Sequence, residues 1–582
     1  MARQTLIGAS LLAASLAFMP ALVQAETAPK APAAKPAAAQ DTVTALGAYL
    51  AGNHAIVTND RAAAAEYLLK ALKDDPDNDQ LQRRAMWMLI GAGRVNEAVP
   101  LAGKLTARDN ETPIAETPIA AILWALERVR AGDWAQAQLR AAKAPQNNLS
   151  KLLMPLIQGW IEAGAGKTDQ ALETMKQAGE KAGNPVLRDL HSGMVAELAG
   201  RMDEAEKFYA QAVIAMPRMP LRMVEVIAGF FERRGRMDEA LSLYKDYAQE
   251  NPESYYGEML VKRAKDGVKA PVVAANAREG LAEALFHFGS ALQQDRSADL
   301  SLVLARLALY LKPDLPVAQV MIANILESQQ RHEEANAAYR SLSPKSWLTW
   351  SSRLRIAANL EGLEKTAEAE AILRAMTKEQ SDRVDALTQL GALLRTKERF
   401  PDAVEVYDQT IKRVGKVEPR HWTLFYSRGI ALERSKQWQR AEADFLRALE
   451  LQPDQPYVLN YLGYSWIDQG INLDRGMEMI RKAVEQRPTD GYIVDSLGWA
   501  HYRLNNFERA VEHLERAVEL RPTDATINDH LGDAYWKVGR TNEARFQWER
   551  ARGLKPEPDL AAQLVKKLRE GLSASAPSQG GG

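Results

Sequence analysis

Residues 491–522 read GYIVDSLGWAHYRLNNFERAVEHLERAVELRP, which is a pattern of two helices and a turn. Apolar residues recur at helical spacing from Tyr492 to Leu504, and Asn505-Asn506 interrupts them. A second helical period runs from Phe507 to Leu520, and Pro522 blocks its extension. Gly498 and Ala510 are small where the two helices would cross. Ala517 is small where the hairpin would meet its successor. Larger side chains there would force the backbones apart, at a cost of about 1–3 kcal/mol.

The same pattern returns about every 34 residues. Gly429, Gly463, Gly498 and Gly532 mark one phase, with Ala441, Ala510 and Ala544 following twelve residues after three of them. Ala448, Ala483, Ala517 and Ala551 come next, then Pro453, Pro488, Pro522 and Pro556. Toward the N-terminus the phase passes through Gly391, Ala357, Ala323 and Gly289, then Ala228, Gly193, Gly159, Ala125, Met86 and Gly52. A repeat of this length predicts an all-α solenoid of about 13–14 helix-turn-helix units, interrupted once.

The expected organisation follows from where the phase holds. Residues 41–252 form an N-terminal array, 253–280 an insertion or degenerate repeat, 281–556 a C-terminal array, and 557–572 a capping helix. Residues 1–25 read as a secretory signal, with Arg3 in a basic n-region, an apolar Leu6–Met19 and Val23-Gln24-Ala25 at the cleavage site. Residues 26–40 are an Ala/Pro/Lys linker and 573–582 a polar tail. The expected location is therefore periplasmic or secreted, after cleavage near Ala25. No later run is apolar for long enough to span a membrane.

Composition narrows the function. The formal charge is −1, from 74 basic and 75 acidic residues, so no basic excess points to nucleic acid. There is no cysteine, which removes disulfides, thiol catalysis and thiolate zinc sites. The eight histidines show no H-E-x-x-H spacing. Ala163-Gly164-Ala165-Gly166-Lys167-Thr168 ends like a phosphate-binding loop, but Ile161 stands where the motif needs glycine, and the segment falls on a predicted turn. No catalytic, cofactor-binding or metal-binding constellation emerges, so the expectation is a protein that is not an enzyme.

The glycine, alanine and proline scaffold, with Leu462, Leu497 and Leu531 before the glycine, resembles the tetratricopeptide repeat family. Gly476 departs from it by replacing the central alanine of one unit, and Arg428 by replacing a leucine. The resemblance implies a concave groove lined by the residues three before and one after each glycine slot. Among those positions, Trp87, Trp160, Tyr426, Asn460, Tyr464, Asp495, Trp499, Asp529 and Asp533 are the candidates for contact with a protein partner. The groove reads as apolar and aromatic, turning acidic toward the C-terminus. It lacks the Lys and Asn/Arg pairs with which relatives clamp a terminal carboxylate.

Asn460-Tyr461-Leu462-Gly463-Tyr464-Ser465-Trp466, the segment Asp468 to Leu473, and Asp495-Ser496-Leu497-Gly498-Trp499 resemble a narrower group. These are long exported bacterial repeat proteins of the LbcA adaptor type, which present cell-wall hydrolases to a periplasmic C-terminal-processing protease. The resemblance implies a scaffold with those partners, although the lipid-anchored cysteine of such adaptors has no counterpart after Ala25. Similar repeat proteins also serve envelope polysaccharide export and envelope assembly, which is the alternative expectation.

Overall fold

The computed structural model describes residues 44–107, 118–145, 147–182, 185–251, 254–294 and 297–572. The expected signal sequence 1–25, the expected linker 26–40 and the expected tail 573–582 lie outside the described residues. Among those described, every regular element is helical, with thirty α-helices and one short 3-10 turn at Pro419–His421.

The helices pair into antiparallel hairpins stacked in sequence order. Six hairpins run from Ala45–Val57 to Met237–Glu250, and eight from Ala277–Gln294 to Thr541–Gly553. The helices of each hairpin pack on each other, and within each array successive hairpins meet, the fifth and sixth through Tyr209 against Phe230. Between the two sets, residues 254–276 contribute one helix, Tyr255–Lys265, and an extended loop that leads into Ala277–Gln294.

Small residues bring the helices of a hairpin together. A Cβ added to Gly498 would lie 2.6 Å from Leu514, and one on Gly532 would lie 2.5 Å from Trp548. Ala510, Ala517 and Ala544 are fully buried. In the unit that carries Gly476, its added Cβ would come within 2.9 Å of the Gly463 carbonyl, so glycine permits an unusually close backbone approach there. Most hairpin turns pass through one left-handed residue, for example Gly166 (φ 76°) or Asn505 (φ 61°), and the longer turn before Leu473 through two, Gly470 and Asn472, in a region open to glycine and tolerated by asparagine. Gly166 belongs to the segment that resembles a phosphate loop; here it is the turn between Asn148–Gly164 and Thr168–Ala182. Arg428 is held by a bidentate pair with Asp444 (2.7 Å) and a contact to Asp408 (2.6 Å), so the leucine position has become an ion-pair site.

The chain folds back on itself after Tyr255–Lys265. Glu232 gathers the Arg263 guanidinium, the Tyr244 hydroxyl (2.7 Å) and the backbone N–H of Ala270 (2.9 Å), which pins the loop. Lys312 holds its other end by donating to the Val273 carbonyl (3.2 Å) and to Glu279 (2.7 Å). Asn276 then caps the next helix, its side-chain oxygen accepting from the Glu279 N–H at 3.0 Å. That helix, Ala277–Gln294, enters the concave side of the N-terminal array and packs on Asn148–Gly164 and Pro185–Leu198. Its partner Ala298–Leu311 packs on Asp79–Gly91 and Ile119–Arg130. One apolar cluster consequently runs without a break from Ala65 through this junction to Ile493.

The C-terminal helix Pro558–Glu570 closes the stack by packing on Thr541–Gly553. Leu564 is buried beneath it. Gly571 ends it with φ 74°, at a point where an added Cβ would run into Trp536.

Candidate functional site: two concave faces

In the N-terminal array the groove positions are occupied by the chain itself. Trp160 is 0% exposed, and a Cβ added to Gly280 would collide with its indole ring. Leu156, Leu190 and Met194, at equivalent positions, are buried with it. Trp160 is thus unavailable to a partner in this arrangement, because Ala277–Gln294 fills the space the repeat geometry leaves. Trp87 stays half-buried at the edge of the same core.

Polar groups seal this junction. Arg222 pairs with Glu283 at 2.5 Å and with Glu225 at 2.8 Å, and Arg61 pairs with Asp299 at 2.5 Å. The Trp160 indole N–H donates to His191 Nδ1 (3.2 Å), and His191 Nε2 lies 3.1 Å from His287 Nδ1. Burial pushes the His191 pKa well below the ordinary value, against the opposing pull of Glu283, and burial with the Arg222 guanidinium pushes that of His287 down to about 3, so both rings are neutral.

The C-terminal concave face is built differently. Tyr426, Asn460, Tyr464 and Trp499 are half-buried on successive first helices of the hairpins Trp422–Arg434, Pro456–Asp468 and Gly491–Arg503. Tyr426 packs edge-on to Tyr461, with ring centres 6.1 Å apart, and burial pushes its pKa up to about 12. The Tyr464 hydroxyl is also raised, by burial first and then by Asp468 and Asp495. Trp499 is sandwiched by rings, stacking on Tyr502 at 4.7 Å and on His530 at 4.0 Å. Its indole N–H and the Asn460 side-chain oxygen are buried without a hydrogen-bond partner.

The acidic end of the groove is not open. Asp529 and Asp533 are each 5% exposed and share Lys567, whose ammonium lies 2.8 Å from Asp529 and 2.7 Å from Asp533. Trp548 donates its indole N–H to Asp533 at 2.9 Å. The expected acidic rim is therefore neutralised by the capping helix, and Lys567, which the sequence places on that helix's polar face, turns inward. Asp495 accepts from His530 Nδ1 at 3.0 Å. Burial alone would lower the His530 pKa; Asp495, supported by Asp529 and Asp533, outweighs it and raises the value. Asp533 is pushed up to about 6 by burial and by Asp529, against the opposing pull of Lys567.

Sequence reasoning missed Lys567 and the docked helix. The first left no periodic signal, because a cap is not a repeat. The second left a faint one, since Leu156, Trp160, Leu190 and Met194 carry no charge where a solvated groove would. Among the described residues, no group of three or more His, Cys, Asp or Glu side chains is placed to hold a metal ion. No helix among them is long and apolar enough to cross a membrane.

Comparison with known proteins agrees with the repeat geometry. Tetratricopeptide repeat family models match residues 388–456, 426–490 and 498–539. The TPR repeat-containing protein PA4667 of Pseudomonas aeruginosa is 28% identical over 141 residues, which is 24% of each chain. The RNA polymerase-associated protein CTR9 of Caenorhabditis elegans is 26% identical over 190 residues, 30% of this chain and 16% of CTR9. The chain thus spans about a quarter or less of the length of these relatives. Among solved structures, Cut9 in the APC/C Cut9-Hcn1 complex is similar over 90% of this chain and 96% of its own, at 14% identity and a TM-score of 0.37. Yeast Tom70 is similar over 90% of this chain and 95% of its own, at 14% identity and a TM-score of 0.31. Likenesses this distant say nothing of partner or activity. The protein is an all-α solenoid of stacked helical hairpins in which residues 388–490 and 498–539 match the tetratricopeptide repeat family.

Proposed function

We propose that this protein is a non-enzymatic scaffold that holds a protein partner on the concave face of its C-terminal array, between Tyr426 and Trp499. One observation carries the reading. Tyr426, Tyr464 and Trp499 stand on successive first helices of the hairpins and are each only half-buried, so part of every ring is left uncovered on that side. A peptide segment with apolar side chains would cover these rings, and aromatic anchors of this kind dominate binding energy at protein interfaces. The N-terminal groove offers no such surface, because the chain's own helix fills it.

The finer reading places the scaffold in the periplasm, where it brings a C-terminal-processing protease to its cell-wall hydrolase substrates. It is supported by the segments around Gly463 and Gly498, by the signal-like N-terminus, and by the local similarity to a bacterial repeat protein.

The test is a crosslinked pull-down from the cell envelope with the purified mature chain and with Tyr464→Ala/Trp499→Ala, read by mass spectrometry. The proposal expects specific envelope proteins to be retained by the wild type and reduced at least about tenfold by the double variant. Equal capture by a folded double variant would remove the groove assignment. Retention of peptidoglycan or polysaccharide with no protein would move the function to envelope polymer assembly.

A further inference from the structure

Where the two arrays meet, a cavity of about 380 Å³ opens beside the docked helix. Its wall includes Leu190, Glu225, Phe286, Ser290, Val320 and Asn324. Each of these stands three residues before or one after a small-residue slot, in the repeats of Gly193, Ala228, Gly289 and Ala323. Two repeats of each array thus turn their concave positions toward one space. Apolar side chains dominate the rest of the wall, Met321 and Trp347 among them. Size and lining match those of small-molecule pockets, which are mostly apolar with a few polar groups to fix orientation.

Charge decides what suits the cavity. Among the described residues its wall carries two charged groups, Arg222 and Glu225, while His287, also on the wall, is neutral. Arg222 is shared. Its Nη1 donates to Glu225 Oε2 at 2.8 Å and its Nη2 to Glu283 at 2.5 Å. One guanidinium therefore faces two carboxylates, which leaves one negative charge in excess. Glu283 is fully enclosed, but the Glu225 side chain keeps 13% of its surface accessible. Among the described residues nothing donates to Glu225 Oε1, and that oxygen is not sealed from solvent. Burial raises the Glu225 pKa above the ordinary carboxylate value; Arg222 opposes the rise and Glu283 adds to it, as expected where one cation serves two anions.

An anion is repelled here, and a hydrated metal ion would lose its water against a mostly apolar wall. A neutral apolar molecule fills the space but leaves the excess charge unmet. We infer that this cavity binds a compact apolar molecule bearing a protonated amine, with its hydrocarbon body against the walls of both arrays and its ammonium donating to Glu225 Oε1. The ammonium gives the two carboxylates their second cation, and a charge-assisted hydrogen bond fixes the ligand's orientation. The site is distinct from the C-terminal groove, which lies on later hairpins.

Three probes with one apolar body and different charge test it on the intact mature chain: naphthylethylamine, naphthylethanol and naphthylacetate. Calorimetry should show one naphthylethylamine bound per chain, at least about fivefold tighter than naphthylethanol, with naphthylacetate weakest. Glu225→Gln should cancel the amine's advantage and leave naphthylethanol binding unchanged. Ala291→Trp, which places a large side chain on the cavity wall, should weaken both at least about tenfold. Tyr464→Ala/Trp499→Ala should leave all three probes unaffected. In the unsubstituted protein, bound naphthylethylamine should slow hydrogen exchange in Leu221–Arg233 and Pro316–Ser328, two helices that line the cavity. Absence of saturable binding, protection that maps elsewhere, full binding in folded Ala291→Trp, or loss of binding in the C-terminal double variant would overturn the site. Equal affinity for naphthylethylamine and naphthylacetate, or an amine preference that survives in folded Glu225→Gln, would overturn the ammonium contact. Should either cavity variant fail to fold, the order of the three probes and the exchange map on the unsubstituted protein decide alone.

Discussion

Trp160 and Trp499 occupy the same position of two repeats, each directly after the glycine slot of its first helix, and each is followed thirty-one residues later by a histidine. The outcomes differ. Trp160 is fully buried and meets His191 edge-on, ring planes 85° apart, with its N–H donated to the imidazole. Trp499 is half-buried and lies flat on His530, planes 18° apart, with its N–H unpaired. The position four residues earlier accounts for the difference. Leu156 leaves His191 Nδ1 free to accept, whereas Asp495 claims His530 Nδ1 for itself. An apolar groove becomes an internal docking surface, while an acidic residue at one slot keeps the equivalent groove polar, with Trp499 half-buried at its centre.

Substituting the two tryptophans separately should break this symmetry most sharply. Trp160→Ala removes a fully buried indole and orphans His191, and should cost about 3–5 kcal/mol in chemical denaturation. Trp499→Ala removes a half-buried ring and should cost about 1–2 kcal/mol. Equal losses would mean that the docked helix adds nothing to the N-terminal face.

Lys567→Met probes the other end. It leaves Asp529 and Asp533 facing each other without a cation, at a cost of about 3 kcal/mol, seen as faster hydrogen exchange across Ala525–Lys537. Adding Asp529→Asn and Asp533→Asn should restore most of the protection. If Lys567→Met alone changes nothing, the cap does not neutralise the groove.

Acid should move the two regions in opposite directions, by about 1–2 kcal/mol locally. His191 and His287 have folded values depressed below 6.5, so the stability they permit is present above about 6.5 and is lost as pH falls toward 3. The folded value of His530 is raised above 6.5. Its contribution is full below 6.5 and is lost as pH rises through the raised value. Asp533, raised to about 6, acts in the same sense as His530, losing its contribution as pH rises from 3.8 through 6. From pH 7.5 to pH 5, exchange should therefore quicken in Ala277–Gln294 and slow in Ala525–Lys537. Parallel changes in both would contradict the assigned ring states.

The smallest effect should come from Asp495→Leu, which gives the C-terminal pair the N-terminal environment. His530 should titrate at least about one unit lower by NMR, and its Nδ1 becomes free to accept from Trp499. An unmoved His530 would show that Asp529 and Asp533, and not Asp495, set its charge.

The helical-hairpin fold was legible because each hairpin is specified locally. Gly498, Ala510 and Ala517 act on neighbours within one or two helices, and the same few contacts repeat. The aromatic centre of the C-terminal groove was legible for the same reason, since Tyr464 and Trp499 inherit their positions from the repeat. The acidic rim misled, because Asp529 and Asp533 meet a lysine that belongs to no repeat. Trp160 misled because repeat position says which way a side chain points and not what arrives there.

The sequence by itself determined the hairpin, its 34-residue spacing, the helix faces that turn inward and the polar character of each. Only the tertiary structure decided that Ala277–Gln294 folds back into the first array, that a cavity opens beside it, and that Lys567 closes the acidic end. These contacts join residues far apart in the chain. They depend on the small rotations accumulated over many hairpins, which no single repeat encodes.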